Sequence, residues 1–191
     1  MDTEEPRQSS TVPLTTPRPA RQREGPIVRR ASLEDALAII EIEHQAMQSG
    51  FAHFGSSRTP IETMSASIQS RYPIFVVEVG DVVGYAKSSP WKYREGYFWT
   101  TEIGCYLLPD WQGKGLGKAL YRSLLPALEE AGFRTIVAGI ALPNPASVAL
   151  HESFGLEHIG TFARNGFKHG EWRDVGYWAL NLGEGPPEGT I

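Results

Sequence analysis

The chain has 191 residues, with 18 Lys and Arg against 22 Asp and Glu, a net charge of −4 and a pI near 5.8. That length suits one folded core, and the acidic balance argues against a nucleic-acid surface. The single cysteine, Cys105, excludes an internal disulfide and a multi-cysteine metal site, and no apolar run reaches the length that spans a bilayer.

Residues 1–25 carry Pro6, Pro13, Pro17 and Pro19 among Ser, Thr and charged residues, a composition too poor in large apolar side chains to bury a core. They read as a disordered leader. Asp2, Glu4 and Glu5 argue against a transit peptide, and no apolar signal segment follows. The folded domain is expected over residues 26–182, with a loose tail over 183–191. A lone cysteine fits a reducing compartment, so a cytoplasmic location is expected.

Residues 26–30 form a short strand candidate. Ser32 then opens a helix with Asp35 as its capping partner, and Leu33, Ala36, Leu37, Ile40 and Ala46–Met47 keep helical spacing. A second helix is expected from Thr59-Pro60-Ile61-Glu62, with Thr59 as cap and Pro60 in the first turn. Residues 74–79 and 82–87 are strands joined by Gly80-Asp81, a hairpin signal, and residues 97–108 form a long strand. Leu116, Leu120, Leu124, Ala127 and Leu128 make one apolar stripe on a helix that Gly132 ends. A buried-type strand over 134–140, a helix over 145–154 and strands over about 157–163 and 172–182 complete the order. The sequence βααβββαβαββ describes an α/β (α+β) fold with a mixed sheet, not a doubly wound one.

Between the long strand and the helix after it lies Gln112-Gly113-Lys114-Gly115-Leu116-Gly117. Alternate glycines remove side chains from the turn, so successive N–H groups are able to face one anion. The helix dipole and the charges of Lys114 and Lys118 reinforce this. A Walker loop requires four residues between its glycines and then Gly-Lys-Ser/Thr. Here three residues separate Gly113 from Gly117, and Ala119 follows Lys118. The dinucleotide fingerprint Gly-x-Gly-x-x-Gly is not met either. The pattern Gln-x-x-Gly-x-Gly resembles the coenzyme-A pyrophosphate loop of the GNAT superfamily of N-acetyltransferases; an ordinary glycine-rich turn is the alternative.

A second block, Asn144-Pro145-Ala146-Ser147-Val148-Ala149-Leu150-His151-Glu152, is similar to the segment that these enzymes place after the next strand. Several blocks resemble the phosphinothricin and methionine sulfone or sulfoximine N-acetyltransferases more narrowly. They are Arg71-Tyr72-Pro73, Pro90-Trp91-Lys92, Trp99-Thr100-x-Glu102, Ala141-Leu142-Pro143-Asn144 and the run from Gly166 to Trp178. The similarity extends over residues 27–182.

The resemblance implies a GNAT fold, with about seven strands, about four helices and a splayed central strand. It also implies transfer of an acetyl group from acetyl-CoA to the amino group of an amino-acid-like molecule, and a homodimer. Glu102 falls at the family's catalytic glutamate. An amine is nucleophilic only as its free base, so a carboxylate there is suited to take the proton. His151 stands where many relatives have a tyrosine; it is suited to the proton-removal path or to protonating the thiolate, and the sequence does not choose. Cofactor contacts are expected from Cys105, Tyr106 and Leu107, from Gln112, Gly113, Lys114, Gly115, Leu116, Gly117 and Lys118, and from Asn144 and Ser147. The amides of residues 105–107 are expected to serve the oxyanion. Substrate contacts are expected from Lys92 and Arg94, as a clamp for an anionic group, and from Tyr97, Phe54 and Glu102.

Lys87 departs from the family, whose phosphinothricin enzymes usually carry tyrosine there, which leaves open which of these amino acids is the acceptor. The remaining histidines show no ligand spacing, so no catalytic metal is expected. Two other functions share these motifs: an acetyltransferase for another small amine or a protein N-terminus, and a non-catalytic acyl-CoA sensor. Retention of Glu102 and His151 favours an enzyme.

Overall fold

Alternating Val, Ile and aromatic residues in short runs favour pleated strands with one face turned to each layer of the fold. The computed structural model describes residues 25–183. The leader and tail expected from the sequence lie outside the described residues, apart from Gly25 and Gly183. Among the described residues, seven strands form: β1 (Ile27–Arg30), β2 (Ile74–Val79), β3 (Asp81–Pro90), β4 (Thr100–Leu107), β5 (Thr135–Ala141), β6 (Glu157–Lys168) and β7 (Glu171–Asn181). Four helices accompany them: α1 (Ala36–Gln48), α2 (Ile61–Gln69), α3 (Leu116–Glu130) and α4 (Pro145–Glu152).

The strands make one sheet in the order β1-β2-β3-β4-β5-β7-β6. Every neighbouring pair is antiparallel except β4 with β5. Helices α1 and α2 pack on one face, where Ile39, Ile40, Met64, Val76 and Tyr85 are buried together. The opposite face is covered by α3, whose Leu116, Leu120, Leu124 and Leu128 pack with Val77, Phe133, Ile136 and Trp178. Full burial of each such leucine contributes about 1.5–3 kcal/mol. Val148 and Leu150 of α4, with Phe154 just beyond its end, join the same layer.

Several boundaries differ from the sequence expectation, β3 among them, which spans Asp81–Pro90 and not 82–87; four others have a local cause. Ser32 and Asp35 do form their reciprocal contact, with the Asp35 carboxylate accepting from the Ser32 N–H at 2.7 Å. Residues Leu33–Asp35 are a 3₁₀ turn, however, and the α-helix begins at Ala36. Pro60, not Thr59, is the cap of α2, because the Thr59 hydroxyl is drawn to the buried Glu43 carboxylate. The long strand begins at Thr100, since Glu95–Tyr97 close a 3₁₀ turn in which Tyr97 and Phe98 donate to Arg94 and Glu95. Strand β6 runs on to Lys168 and turns into β7 through His169-Gly170, both with positive φ.

Candidate active site

The parallel contact between β4 and β5 is short. It pairs Thr100, Thr101 and Glu102 with Thr135, Ile136 and Val137, and then the strands part. On its other side β4 stays paired with β3 as far as Leu107. The Leu108 amide donates to Val83, which sets the alternation: even-numbered amides of β4 point to β3, while those of Ile103, Cys105 and Leu107 face the opening. Tyr106 is therefore removed as an amide donor to a ligand in that gap, although its ring still lines the cavity.

At the far end of the opening the chain turns through Gly113 and Gly115 into α3. Both glycines have positive φ (69° and 79°), a conformation costly for any residue with a side chain. Gly117 has a different role: a Cβ there would lie 3.1 Å from Leu150 Cδ2 and 3.7 Å from Cys105 Sγ, so its absence lets α3 close on α4 and β4. The Gln112 and Ala119 amides donate to Pro109 and Gly115. Between them, none of the amides of 113–118 has a protein acceptor among the described residues. Four of these belong to the first turn of a helix or its cap, where N–H groups have no intrahelical partner and the dipole is positive.

A cavity of about 1250 Å³ connects this turn to the parting of the strands. Its walls include Glu102, Cys105, Tyr106, Leu107, Gln112, Gly113, Gly115, Gly117, Lys118, Asn144, Ser147 and His151 from the sequence-derived set. Lys114 and Leu116 do not line it: the Lys114 ammonium lies 4.8 Å from the Trp111 ring centroid, and Leu116 is buried in the core. The volume, the row of amides and the open edge of β4 fit an elongated molecule carrying a diphosphate at one end, as acetyl-CoA does.

Glu102 sits where β4 leaves β5. Its carboxylate lies over Gly139 of β5, where a Cβ would come within 3.3 Å of Glu102 Oε1. Glycine at 139 thus makes room for the carboxylate, which the sequence alone did not single out. Burial raises the Glu102 pKa above the ordinary carboxylate value, and the positive charges of Lys92 and Lys87 oppose that shift without cancelling it. The carboxylate also borders a smaller cavity of about 320 Å³ that includes Phe54, Asn165, Phe167 and Tyr177.

His151 reaches the cavity from the α3 face of the sheet, opposite the face that carries Glu102. Its Nδ1 lies 2.7 Å from the Ser147 carbonyl oxygen, which can only accept, so Nδ1 bears the proton. Nε2 then accepts the hydroxyl of Tyr121 at 2.8 Å. Burial lowers the imidazole pKa, and the Ser147 carbonyl partly offsets this. The ring is a neutral group with both nitrogens engaged. Tyr121, fully buried on α3, is a partner that no spacing rule would have connected to His151. Burial pushes the Cys105 thiol up to about 12, which makes it inert as a nucleophile. Asn144 caps α4 by accepting from the Ser147 amide at 3.1 Å, which leaves its side-chain NH₂ available at the cavity wall.

The acceptor end is built differently from the sequence expectation. Lys92, Arg94 and Tyr97 are exposed and do not line either cavity; Lys92 lies 4.6 Å from the Trp91 ring and reaches Glu102 by its field alone. Phe54 borders both cavities. A polar cluster stands beside it: the Lys87 ammonium donates to Glu43 Oε1 at 2.7 Å, the Thr59 hydroxyl donates to Glu43 Oε2, and His53 Nε2 lies 3.6 Å from Oε1. His53 Nδ1 accepts the Gly55 amide, so the proton of the neutral ring is on Nε2, facing Glu43. Among the described residues, no group of three or more His, Cys, Asp or Glu side chains is arranged to hold a metal ion, and no helix is long and apolar enough to cross a membrane.

Comparison with known proteins agrees with this architecture. The Acetyltransferase (GNAT) family matches residues 37–156. A phosphinothricin N-acetyltransferase of Streptomyces viridochromogenes is 41% identical over 155 residues, covering 79% of this chain and 85% of the relative. An L-methionine sulfoximine/L-methionine sulfone acetyltransferase of Salmonella typhimurium is 33% identical, covering 82% and 95%. The structure of yncA, an acetyltransferase of Salmonella typhimurium with its cofactor acetyl-CoA, superposes with a TM-score of 0.82 at 32% identity, covering 87% of this chain and 100% of that one. With the strands parting above an amide-lined turn and relatives alike over four-fifths of its length, this chain belongs to the GNAT family of acetyl-CoA-dependent N-acetyltransferases.

Proposed function

We propose that the protein acetylates the α-amino group of an amino-acid-like molecule of the phosphinothricin, methionine sulfone or methionine sulfoximine type. The observation that carries this is the position of Glu102: a desolvated carboxylate at the fork of β4 and β5, on the wall of a cavity that continues to the amides of 113–118. The activities of the relatives supply the acceptor class.

When bound, acetyl-CoA supplies the thioester carbonyl that the acceptor nitrogen attacks. Glu102 removes the ammonium proton, directly or through one water, and its raised pKa brings it closer to that task than a solvated carboxylate would be. The amides of Cys105 and Leu107, facing the opening, are the donors for developing negative charge on oxygen. Gln112 anchors the turn by donating to the Leu107 carbonyl at 3.1 Å. His151, neutral and doubly engaged, orients the wall beside the sulfur end and does not act as the first base. The exposed Phe162, Phe167 and Trp172 of the β6–β7 hairpin supply an apolar face for the homodimer that the family resemblance implies.

The test is turnover, followed by thiol release, across phosphinothricin, methionine sulfone and methionine sulfoximine. Glu102→Gln is expected to lower kcat by about two orders of magnitude while the Kd for acetyl-CoA changes little. Turnover of the variant near that of the native enzyme would remove Glu102 from the reaction. Acetyl-CoA binding without thiol release on any amine would favour a sensor instead.

A further inference from the structure

Strands β3 and β4 place four residues in a square on the face that carries Glu102. Ser89 lies opposite Glu102, and Lys87 lies opposite Gly104. Residues opposite one another and two apart along a strand share a face, so the Lys87 and Glu102 side chains are diagonal neighbours across Gly104. Gly104 contributes no side chain between them; a Cβ there would come within 3.2 Å of the Tyr106 ring. Lys87, Gly104 and Glu102 all line the large cavity.

Lys87 is held, not loose. Its ammonium gives one hydrogen bond to Glu43, which is 3% exposed. Glu43 in turn accepts from Thr59 and faces the Nε2–H of His53. Burial alone would raise the Glu43 pKa, but His53, Lys87 and Thr59 outweigh it and hold the group ionised. An ammonium has three donors, and one is used here. Of the Lys and Arg residues on the cavity wall, Lys118 belongs to the start of α3 and Lys87 alone stands at the Glu102 end. The exposed Lys92 and Arg94 do not reach this wall.

We propose that Lys87, fixed by Glu43, is the specificity-determining residue that binds the α-carboxylate of the acceptor. An α-amino acid bears its carboxylate and its amino group on one carbon. With the carboxylate on the Lys87 ammonium, the amino group falls on the Glu102 side of Gly104, where proton removal takes place. An amine without the carboxylate lacks this contact and is not oriented. The inference rests on the amino-acid acceptor proposed above and adds to it the group that selects this class over plain amines.

The experiment compares kcat and KM for L-methionine sulfone and for its decarboxylated amine, using thiol release. For Lys87→Met, loss of a charge-assisted hydrogen bond is expected to lower kcat/KM for the amino acid by about ten- to a hundredfold, mainly through KM. Loss of the Lys87 charge also acts on Glu102 for both acceptors, so the readout is the ratio of the two kcat/KM values: the decarboxylated amine is expected to lose less than the amino acid, and the preference between the two collapses. Lys87→Arg is expected to keep the preference. Because Lys87→Met leaves the buried Glu43 uncompensated, Glu43→Gln/Lys87→Met is measured beside it, with acetyl-CoA binding as the check on folding. An unchanged preference in folded Lys87→Met or in the double variant overturns the assignment of Lys87 alone. Failure of the native enzyme to acetylate any amino acid, with acetyl-CoA still bound, overturns the acceptor class itself and this inference with it.

Discussion

Two glutamates, Glu102 on the cavity wall and Glu43 behind Lys87, are driven in opposite directions by their surroundings. Glu102 is desolvated with no hydrogen-bonding cation, so its pKa is raised. Glu43 is only 3% exposed, yet His53, Lys87 and Thr59 hold it ionised, well below the usual carboxylate range. The consequences for stability have opposite signs. A carboxylate with a raised folded-state pKa favours the fold below its unfolded value, 4.5, and loses that contribution as pH rises through the folded value. At pH about 7 the charge on Glu102 therefore opposes folding. Glu102→Gln is expected to melt above the native protein at neutral pH, with the gain shrinking toward pH about 4. Glu43 contributes stability above 4.5 that is lost as pH falls through its depressed value, so Glu43→Gln is expected to melt lower at neutral pH. Thermal melts of both variants across that range check the pair; a Glu102→Gln melting point below the native one at neutral pH would contradict the desolvation account. Glu102 was legible in the sequence because it sits in a motif beside the glycine turn. The Lys87–Glu43 pair was not, because 44 positions separate its members and only the register of β3 against α1 joins them.

The glycine turn was readable as an element because its constraint is local, but its glycines are there for different reasons. At Gly115 the backbone φ is 79° and a Cβ would meet nothing within 4 Å, so substitution strains the chain without a clash. Gly115→Ala is expected to cost about 1–2 kcal/mol of stability and to weaken acetyl-CoA binding, because the turn relaxes and its amides lose their common direction. At Gly117 the backbone tolerates a side chain, but Leu150 would have to give way. Gly117→Ala is expected to shift α4, and with it Asn144 and His151. Calorimetric binding of acetyl-CoA to each variant separates the two effects; an unchanged Kd in Gly115→Ala would mean that the turn does not hold the diphosphate. Element ends were less legible than element centres. Thr59 has the chemistry of a helix cap, yet a buried carboxylate 16 positions away competes for its hydroxyl and wins. Residues 97–99 are three aromatics of high strand propensity, but Arg71 donates to the Phe98 carbonyl at 2.9 Å and packs 3.8 Å from the Phe98 ring, holding that segment in a turn.

At the scale of the molecule, the sheet is two unequal parts joined by three parallel pairs. Strands β1 to β4 form an antiparallel unit, and β5, β7 and β6 form another, with Thr100–Glu102 and Thr135–Val137 as their seam. Beyond the seam, backbone groups of β4 face an opening and not a strand. The order of elements along the chain could be read from residue patterns, whereas the opening was expected only from the family resemblance, because an absence of pairing is something no residue pattern encodes. A molecule in that opening replaces missing contacts on both parts, so it stabilises the whole fold in proportion to its saturation. Acetyl-CoA at a hundred times its Kd is expected to add about 2.7 kcal/mol, which for a domain of this size raises Tm by roughly 5–10 °C. Adenosine 3′,5′-bisphosphate lacks the pantetheine arm and is expected to give a smaller shift at the same molar concentration, since it leaves the opening between β4 and β5 unbridged. Differential scanning calorimetry with the two ligands checks this. Equal shifts would place the binding energy outside the opening, and no shift with acetyl-CoA would remove the cavity as its site.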